Sequence, residues 1–513
     1  MTEILPSQSS SLDDWLCYLE SVHPANIEMG LERVERVANQ VGLLDTSSKI
    51  ILIAGTNGKG TTARCLESLL LAQGYSVGTY ASPHLIRYNE RVRINGQELD
   101  DQFHVDAFDM LEKGRGDTQL TYFEYGTLGA LAIFKRHAVD YVLLEVGLGG
   151  RFDATNIVNP HACVITTIDL DHKEYLGDTR ELVGYDKAGI FRTNTPAIVG
   201  DLAIPHTVTD YGNEINADMV LSGQDFIFTE DSEGFNWQYQ GNDWRLAKPA
   251  IPCQNAATAL TLLAKLELLP SEQQVRDCLA NLTVEGRFQQ LSQQPFVFTD
   301  VAHNPESARY LARKLSVYKD QGFKIHALVA MLADKDKVAA MSAVANVVDQ
   351  WSLASLDCFR GDKVENLAKA LAETTSTAPS THYESVETAL DTLLPNVDEN
   401  TLVIVFERKS VNAGFINRLV GTTIVVVAAI VFIPNILDGE KVHYKEGFKA
   451  IPERPEFTTI DLQEVIDNKV ASAEQPSQIP VEDTQANDAD LVANETQQID
   501  TAPQMVEASI DEP

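Results

Sequence analysis

The stretch Ile50 to Thr62 reads Ile-Ile-Leu-Ile-Ala-Gly-Thr-Asn-Gly-Lys-Gly-Thr-Thr. Ile50 to Ala54 is a continuous apolar run, the pattern of a strand buried on both faces. Gly55, Gly58 and Gly60 break that run, and Arg64 to Ala72 then carries apolar residues at helical spacing. Strand, glycine-rich turn and helix, in that order, make a phosphate-binding element. Backbone N–H groups and the positive helix N-terminus surround the anion, Lys59 reaches its outer oxygens, and a hydroxyl can hold Mg²⁺. The spacing departs from the usual P-loop: Ile53 stands where Gly is expected, and Gly60 separates Lys59 from Thr61. A plain glycine-rich turn with a solvated lysine is the simpler alternative, and the flanking strand and helix argue against it.

Further polar groups recur at strand ends. Tyr75 to Tyr80 is a predicted strand that ends in Ala81-Ser82-Pro83-His84-Leu85, followed by Arg87-Tyr88-Asn89-Glu90-Arg91. Taken alone, Ser82 reads as a capping serine. Asp140 to Val146 is a third strand, with Glu145 near its end, and a buried carboxylate there needs a partner, which a metal would supply. Ala162 to Ile168 is a fourth, ending in Asp169-Leu170-Asp171-His172. Open α/β sheets bind ligands beyond the carboxyl ends of their strands, and Lys59, Ser82, Glu145 and His172 all fall there. Elsewhere, Leu12 to Val22 and Leu31 to Val41 read as amphipathic helices. Gly126 to His137 is a helix opened by Thr121-Tyr122-Phe123-Glu124-Tyr125. Residues 201 to 250 read as an antiparallel insertion of short strands and turns, and Glu285 to Gln289 reads as a hinge. A second α/β unit begins near Gln290 and runs to the strand Thr401 to Phe406.

At 513 residues, two or three domains are expected. Acidic residues outnumber basic ones by 74 to 40, which argues against general nucleic-acid binding. The six cysteines show no CxxC spacing, and their apolar neighbours predict reduced core thiols in a cytoplasmic body. Met1 to Asp14 has neither the basic nor the apolar region of a signal peptide.

Several segments together resemble the bacterial bifunctional dihydrofolate synthase/folylpolyglutamate synthase family of the Mur ligase superfamily. They are Ala54 to Thr61, Ser82-Pro83-His84-Leu85, Phe123-Glu124, Glu145 to Arg151, Asp171-His172, Lys187-Ala188-Gly189-Ile190, Gly286-Arg287 and Asp300-Val301-Ala302-His303-Asn304-Pro305. The phosphate loop alone would also fit the peptidoglycan Mur ligases, but those usually lack the Gly between the loop Lys and Thr and carry a further N-terminal domain. The resemblance spans roughly residues 10 to 406. It implies an α/β fold with a P-loop-type ATP- and pteroate-binding domain (residues 1–288) built on a mostly parallel sheet. A smaller Rossmann-like glutamate-ligase domain (289–406) would complete a body that works as a monomer.

The resemblance also implies a chemistry, with ATP and Mg²⁺ as cofactors and dihydropteroate, folates and L-glutamate as substrates. ATP phosphorylates a carboxylate, and the glutamate amine displaces the phosphate. It assigns the ATP phosphates to Thr56, Asn57, Gly58, Lys59, Gly60 and Thr61, and further nucleotide contacts to Asn255, Arg287 and Asp300. It assigns Mg²⁺ to Ser82, Glu145, His172 and a carbamylated Lys187, so that Lys59, Lys187 and His172 carry the catalysis. It assigns the pteroate pocket to Asn26, Ile27, Glu28, Met29, Thr121, Tyr122, Phe123, Glu124, Phe152, Asp153 and Ala154. Asp186 stands where the family usually has Glu, and Glu285 where it has Pro. Phe406 runs into Glu407-Arg408-Lys409 instead of Gly-Ser-Phe and a closing helix, so that helix is expected to be missing.

Beyond Glu407 the chain changes character. Leu419 to Leu437 is nineteen residues without a charge, preceded by Arg408, Lys409 and Arg418. A transmembrane helix within 415–437 is expected, with the body in the cytoplasm and the tail beyond the inner membrane. Residues 438–513 read as a disordered acidic tail. Asn417 to Thr422, the apolar span and Leu437 to Lys441 resemble the start of the DedD division proteins without their SPOR domain, as if two reading frames had been joined, and the alternative this resemblance implies is a membrane-anchored division factor with an inactive ligase body.

Overall fold

In the computed structural model, residues 5–23, 27–333, 335–358 and 361–407 are described. Seventeen strands are grouped in three sheets among them. The first sheet takes β1 (Lys49–Ala54), β2 (Val77–Tyr80), β3 (Val92–Ile94), β4 (Gln97–Glu98), β5 (Tyr141–Glu145), β6 (Ala162–Ile165), β7 (Pro196–Val199) and β8 (Asp218–Leu221). Their spatial order is β4-β3-β2-β5-β1-β6-β7-β8. β2, β5, β1, β6, β7 and β8 run parallel, and β3 and β4 add an antiparallel edge.

β1 lies between β5 and β6, and its apolar run serves two cores. Ile50, Leu52 and Ala54 enter the core on one face, Ile51 and Ile53 that on the other. Side chains of a strand alternate between faces, so a strand covered on both sides must be apolar throughout. The helices α1 (Leu12–Val22), α2 (Glu32–Gln40), α4 (Asp101–Gly114) and α5 (Tyr122–His137) supply the first core. The second core is built by α3 (Lys59–Ala72), α9 (Cys253–Lys265) and α10 (Glu272–Asn281). Parallel pairing sets Ile53 beside Glu145, Ala54 beside Ile165, and Tyr80 beside Leu144. The ends of four strands therefore open on one edge, and this register positions the site.

Part of the region 201–250 differs from the expected antiparallel insertion. His206–Glu214 is a helix (α8), and β8 extends the main sheet in parallel; only β9 (Ile227–Glu230), β10 (Gly234–Tyr239) and β11 (Asn242–Ala247) form an antiparallel sheet. The apolar residues of 218–221 pair with β7 and complete a helix crossover, which periodicity over four residues does not reveal. Cys65, Cys163 and Cys253 are buried free thiols as expected, but Cys17 is exposed, because it lies on the outer face of α1 while Leu12, Trp15 and Leu19 face the core.

The third sheet holds β12 (Gln289–Gln293), β13 (Phe296–Asp300), β14 (Lys324–Ala330), β15 (Gln350–Ala354), β16 (Ser380–Tyr383) and β17 (Thr401–Glu407), in the order β12-β13-β17-β14-β15-β16. β12 is antiparallel and the rest are parallel. On one face pack α11 (Pro305–Asp320), α12 (Lys337–Val344) and α13 (Val364–Ala372); α14 (Val386–Leu393) covers the other. The expected loss of a closing helix, the apolar span at 419–437 and the tail at 438–513 lie outside the described residues. No helix among the described residues is long and apolar enough to cross a membrane.

Candidate active site

Gly58 caps α3 in the left-handed region (φ +83°), and a Cβ there would stand 2.2 Å from the Asn255 amide nitrogen. Only glycine combines that backbone with that closeness. Asn255 uses the space to donate to Gly58 O (3.2 Å) and Thr62 Oγ1 (3.0 Å), so α9 braces the loop. Thr56 Oγ1 donates to the carbonyl of Asp169, tying the loop to the segment after β6. Lys59 Nζ lies over its own loop, 3.0 Å from Gly55 O and 3.4 Å from Thr56 O. The inserted Gly60 has a structural reason: a Cβ there would face Glu145 Oε2 at 3.2 Å. The missing side chain lets the β5 carboxylate approach the loop.

Glu145 is buried and accepts from Ser82 N at 3.2 Å. Burial raises its carboxyl above the usual range, and Lys59 draws it back. Lys187, near the end of α7 (Arg180–Ala188), is only 3% exposed, and no ion pair engages it among the described residues. Burial, reinforced by Lys59, pushes its ammonium down to about 7. His172 caps α6 (Lys173–Leu176) with φ +49°. Next to it Asp171 gathers three cationic or basic groups: Lys335 Nζ at 3.3 Å, His303 Nε2 at 3.8 Å and His172 Nε2 at 3.9 Å. Burial alone would raise the Asp171 carboxyl; His303, Lys335 and His172 together hold it well below the usual range.

One cavity of about 280 Å³ joins these groups. Thr56 to Gly60, Ser82, Glu145, His172 and Lys187 line its inner part, and Ile27, Glu28, Met29, Thr121, Phe123, Glu124, Phe152, Asp153 and Ala154 line the rest. A Cβ on Gly147 would fall 2.5 Å from the Phe123 ring, so the glycine lets the tip of that ring approach the strand end. Phe152 is 48% exposed at the cavity wall. Several expected pocket residues also build the wall itself. Thr121 and Glu124 form the capping box of α5, and Glu124 pairs with Arg33 at 3.1 Å. Asp153 caps the short helix Ala154–Ile157 and takes the Leu148 N–H at 2.8 Å. Glu28 pairs with Arg33 and His23. Tyr122 does not line this cavity. Its ring packs on Arg91, 5.5 Å from the guanidinium carbon, because the α5 capping turn points alternate residues in different directions. Asn26 lies outside the described residues.

A second cavity of about 160 Å³ adjoins the loop and is lined by Asn57, Gly58, Thr61, Asn255, Arg287, Asp300 and Tyr310. Asp300 accepts from the backbone of Phe288 (2.8 Å) and Ala302 (2.7 Å), which fixes the turn after β13. Burial raises its carboxyl and Arg287 opposes the rise. Arg287 and His303 border both cavities. Asn57 points to α11 instead of into the loop: it exchanges amide hydrogen bonds with Asn304 and donates to Glu306. Asp171, His303, Lys335, Glu306 and Arg91 were not among the residues assigned from sequence. His303, Asp171 and Lys335 follow strand ends and Arg91 follows the Ser82 turn, a signal that could have found them; Glu306 is brought in only by contacts across the fold.

The arrangement can hold a polyphosphate at the loop, a flat aromatic ligand beside Phe123 and Phe152, and a cation at Glu145. The donor set fits Mg²⁺, which binds through one or two carboxylates and completes its shell with phosphate oxygens and water. A group of three or more His, Cys, Asp or Glu able to hold a metal unaided is absent among the described residues.

Comparison with known proteins gives a consistent family. Residues 53–223 match the Mur ligase middle domain, and 286–406 match the Mur ligase glutamate ligase domain. The dihydrofolate synthase/folylpolyglutamate synthase of Escherichia coli (strain K12) is 43% identical over 403 residues, 78% of this chain and 93% of that protein. The protein of the same name from Haemophilus influenzae is 40% identical over 419 residues, 78% of this chain and 95% of that protein. The structure of E. coli FolC in complex with DHPP and ADP superposes with a TM-score of 0.76 at 41% identity, over 83% of this chain and 99% of that one. The bifunctional folylpolyglutamate synthase/dihydrofolate synthase of Yersinia pestis, complexed with AMPPNP and Mn ion, superposes with a TM-score of 0.74 at 44% identity, over 79% and 97%. Similarity this high along nearly the whole length of these relatives makes the chain a member of the dihydrofolate synthase/folylpolyglutamate synthase family of Mur ligases.

Proposed function

We propose that this chain joins L-glutamate to 7,8-dihydropteroate, giving dihydrofolate, and to tetrahydrofolate and its polyglutamates, using ATP. The single observation that carries this reading is the continuity of one cavity from Lys59 and Glu145 at the phosphate loop to Phe123 and Phe152. A pteridine stacked on the aromatic wall would direct its carboxyl end toward the phosphates.

The residues divide the work. The loop from Thr56 to Thr61 grips the polyphosphate through backbone N–H groups, and Lys59 exchanges its loop carbonyls for phosphate oxygens. Asn255, Arg287 and Asp300 hold the nucleotide from the two sides of the adjoining cavity. Ser82, Glu145 and His172 would hold Mg²⁺, which when bound neutralises phosphate charge during transfer. The substrate carboxylate attacks the terminal phosphorus and ADP leaves. The neutral amine of glutamate then adds to the acyl phosphate, and the amide forms as phosphate departs. A third hollow is lined by Arg309 and Lys335, paired with Asp169 and Asp171, and glutamate would bind there by exchanging its two carboxylates for those partners.

Lys187 is assigned to carbamylation. Its buried amine, with an ammonium pushed down to about 7, is about half neutral near that pH and can add CO₂ with release of a proton. The product is an anion beside the phosphate loop, able to support a second Mg²⁺.

The body is cytoplasmic in this reading, and the uncharged segment Leu419 to Leu437 tethers it to the inner membrane. Alkaline washing of membranes tests this. Retention of the chain in the pellet is expected, and release into the supernatant contradicts the tether.

ADP release by the full-length chain, with L-glutamate and either dihydropteroate, tetrahydrofolate or a UDP-muramyl peptide, tests the activity. Turnover with the two pteridines is expected. Turnover with the UDP-muramyl peptide alone would point instead to a peptidoglycan ligase.

A further inference from the structure

Arg91 ends the short helix Tyr88–Arg91 and is 8% exposed. Its carbonyl accepts from Ala81 N at 2.9 Å, which seats it at the end of β2 beside Ser82. Nε donates to His84 Nδ1 at 2.8 Å, so that nitrogen acts as the acceptor. The rings of Tyr88 and Tyr122 each stand 5.5 Å from the guanidinium carbon. Arg33, Arg64, Arg115 and Arg180, all less buried, each pair with a carboxylate. Among the described residues, no ion pair engages Arg91.

A guanidinium buried without a counter-anion is costly, and aromatic faces offset only part of that cost. The cost is sustained where an anion arrives during function. Arg91 lines the larger cavity together with Ser82, Thr121, Phe123 and Glu145, and its charge is felt by the Glu145 carboxyl beside the phosphate loop. The position suits the end of a flat ligand that reaches from the aromatic wall to that loop.

We propose that Arg91 binds the carboxylate of the acceptor substrate and presents it to the terminal phosphate of ATP. This rests on the function proposed above and adds the residue that aligns the nucleophile. His84 fixes the guanidinium through Nε and Tyr80 takes a further hydrogen bond from it, so the remaining N–H groups are the ones offered to the incoming anion. When one carboxylate oxygen has taken the phosphoryl group, the other stays beside the same cation. The oxyanion formed as the glutamate amine adds is stabilised there too.

The test compares two ligands on the full-length chain with a non-hydrolysable ATP analogue: dihydropteroate and its neutral carboxamide. The wild-type chain is expected to favour the acid by about tenfold or more. Arg91→Met should abolish that preference while leaving carboxamide affinity unchanged. A Met variant that keeps the preference, or that weakens both ligands equally, overturns the proposal. If the Met variant does not fold, Arg91→Gln makes the same comparison, since it keeps polar donors and loses the charge; an undiminished preference in it would overturn the role. Binding of neither ligand by the wild-type chain would overturn the functional reading itself, which separates the two failures.

Discussion

Asn57 and Asn304 exchange two amide hydrogen bonds, at 3.2 and 2.9 Å, across 247 positions of sequence. The first lies in the phosphate loop and the second caps α11 behind β13. The phosphate loop is thereby fastened to the end of the third sheet. Glu306 adds to the contact by accepting from Asn57 at 2.5 Å and Thr167 at 3.1 Å.

Asn304→Ser should separate this link from the helix cap. Serine caps a helix about as well as asparagine, so the melting temperature should stay close to that of the wild type. The reciprocal amide pair is lost, and kcat/KM for ATP should fall roughly tenfold, the worth of about one well-placed hydrogen bond. A double-mutant cycle with Asn57→Ala checks it: the two effects should not add.

Gly60→Ala should move stability and activity in opposite directions. Alanine in a helix gains about 1 kcal/mol over glycine, and Gly60 lies in the first turn of α3. Its Cβ would press on Glu145 Oε2 at 3.2 Å and push the carboxylate away from the loop. Thermal melting should show no loss, while kcat should drop by about tenfold or more. Unchanged kcat would mean that Glu145 can shift without consequence.

Lys187→Ala should leave activity at the limit of detection. Removing dissolved CO₂ should lower wild-type activity, and bicarbonate should restore it. A carbamate resonance should appear with isotope-labelled bicarbonate and vanish in the variant. Full activity in CO₂-free buffer would contradict the modification.

Acid should destabilise the chain through two buried imidazoles. Burial pushes both His104 and His326 down to about 4, whereas in the unfolded chain both titrate near 6.5. Between those values the unfolded state binds more protons, so stability falls as pH drops through about 6.5, and the loss levels off below about 4. Each contributes on the order of 3 kcal/mol over that window. Urea midpoints measured across it check the slope, and His326→Gln, which can still bond to Ser352, should reduce it by about half.

Local patterns of the chain announced much of this. The apolar run of β1 could only be a strand covered on both faces. The strand ends that carry Lys59, Ser82, Glu145 and His172 do open on one cavity. The strand β8 is hard to read because four residues carry no period, and the polar helix α8 before it shows no apolar stripe, so its crossover from β7 is seen only in the fold. Tyr122 was misplaced for a related reason: neighbours on a capping turn face different ways, and only the fold shows that Phe123 takes the cavity while Tyr122 takes Arg91. The pairing of Asn57 with Asn304 and of Asp171 with Lys335 depends on two sheets meeting, which no local pattern encodes.

Dihydropteroate labelled with heavy oxygen in its carboxyl group, supplied with ATP and L-glutamate, gives the most direct measurement of carboxylate activation. Label found in the released inorganic phosphate, together with glutamylated product, is the predicted result. Unlabelled phosphate accompanying amide formation would contradict an acyl phosphate and, with it, the role assigned to the phosphate loop and Glu145.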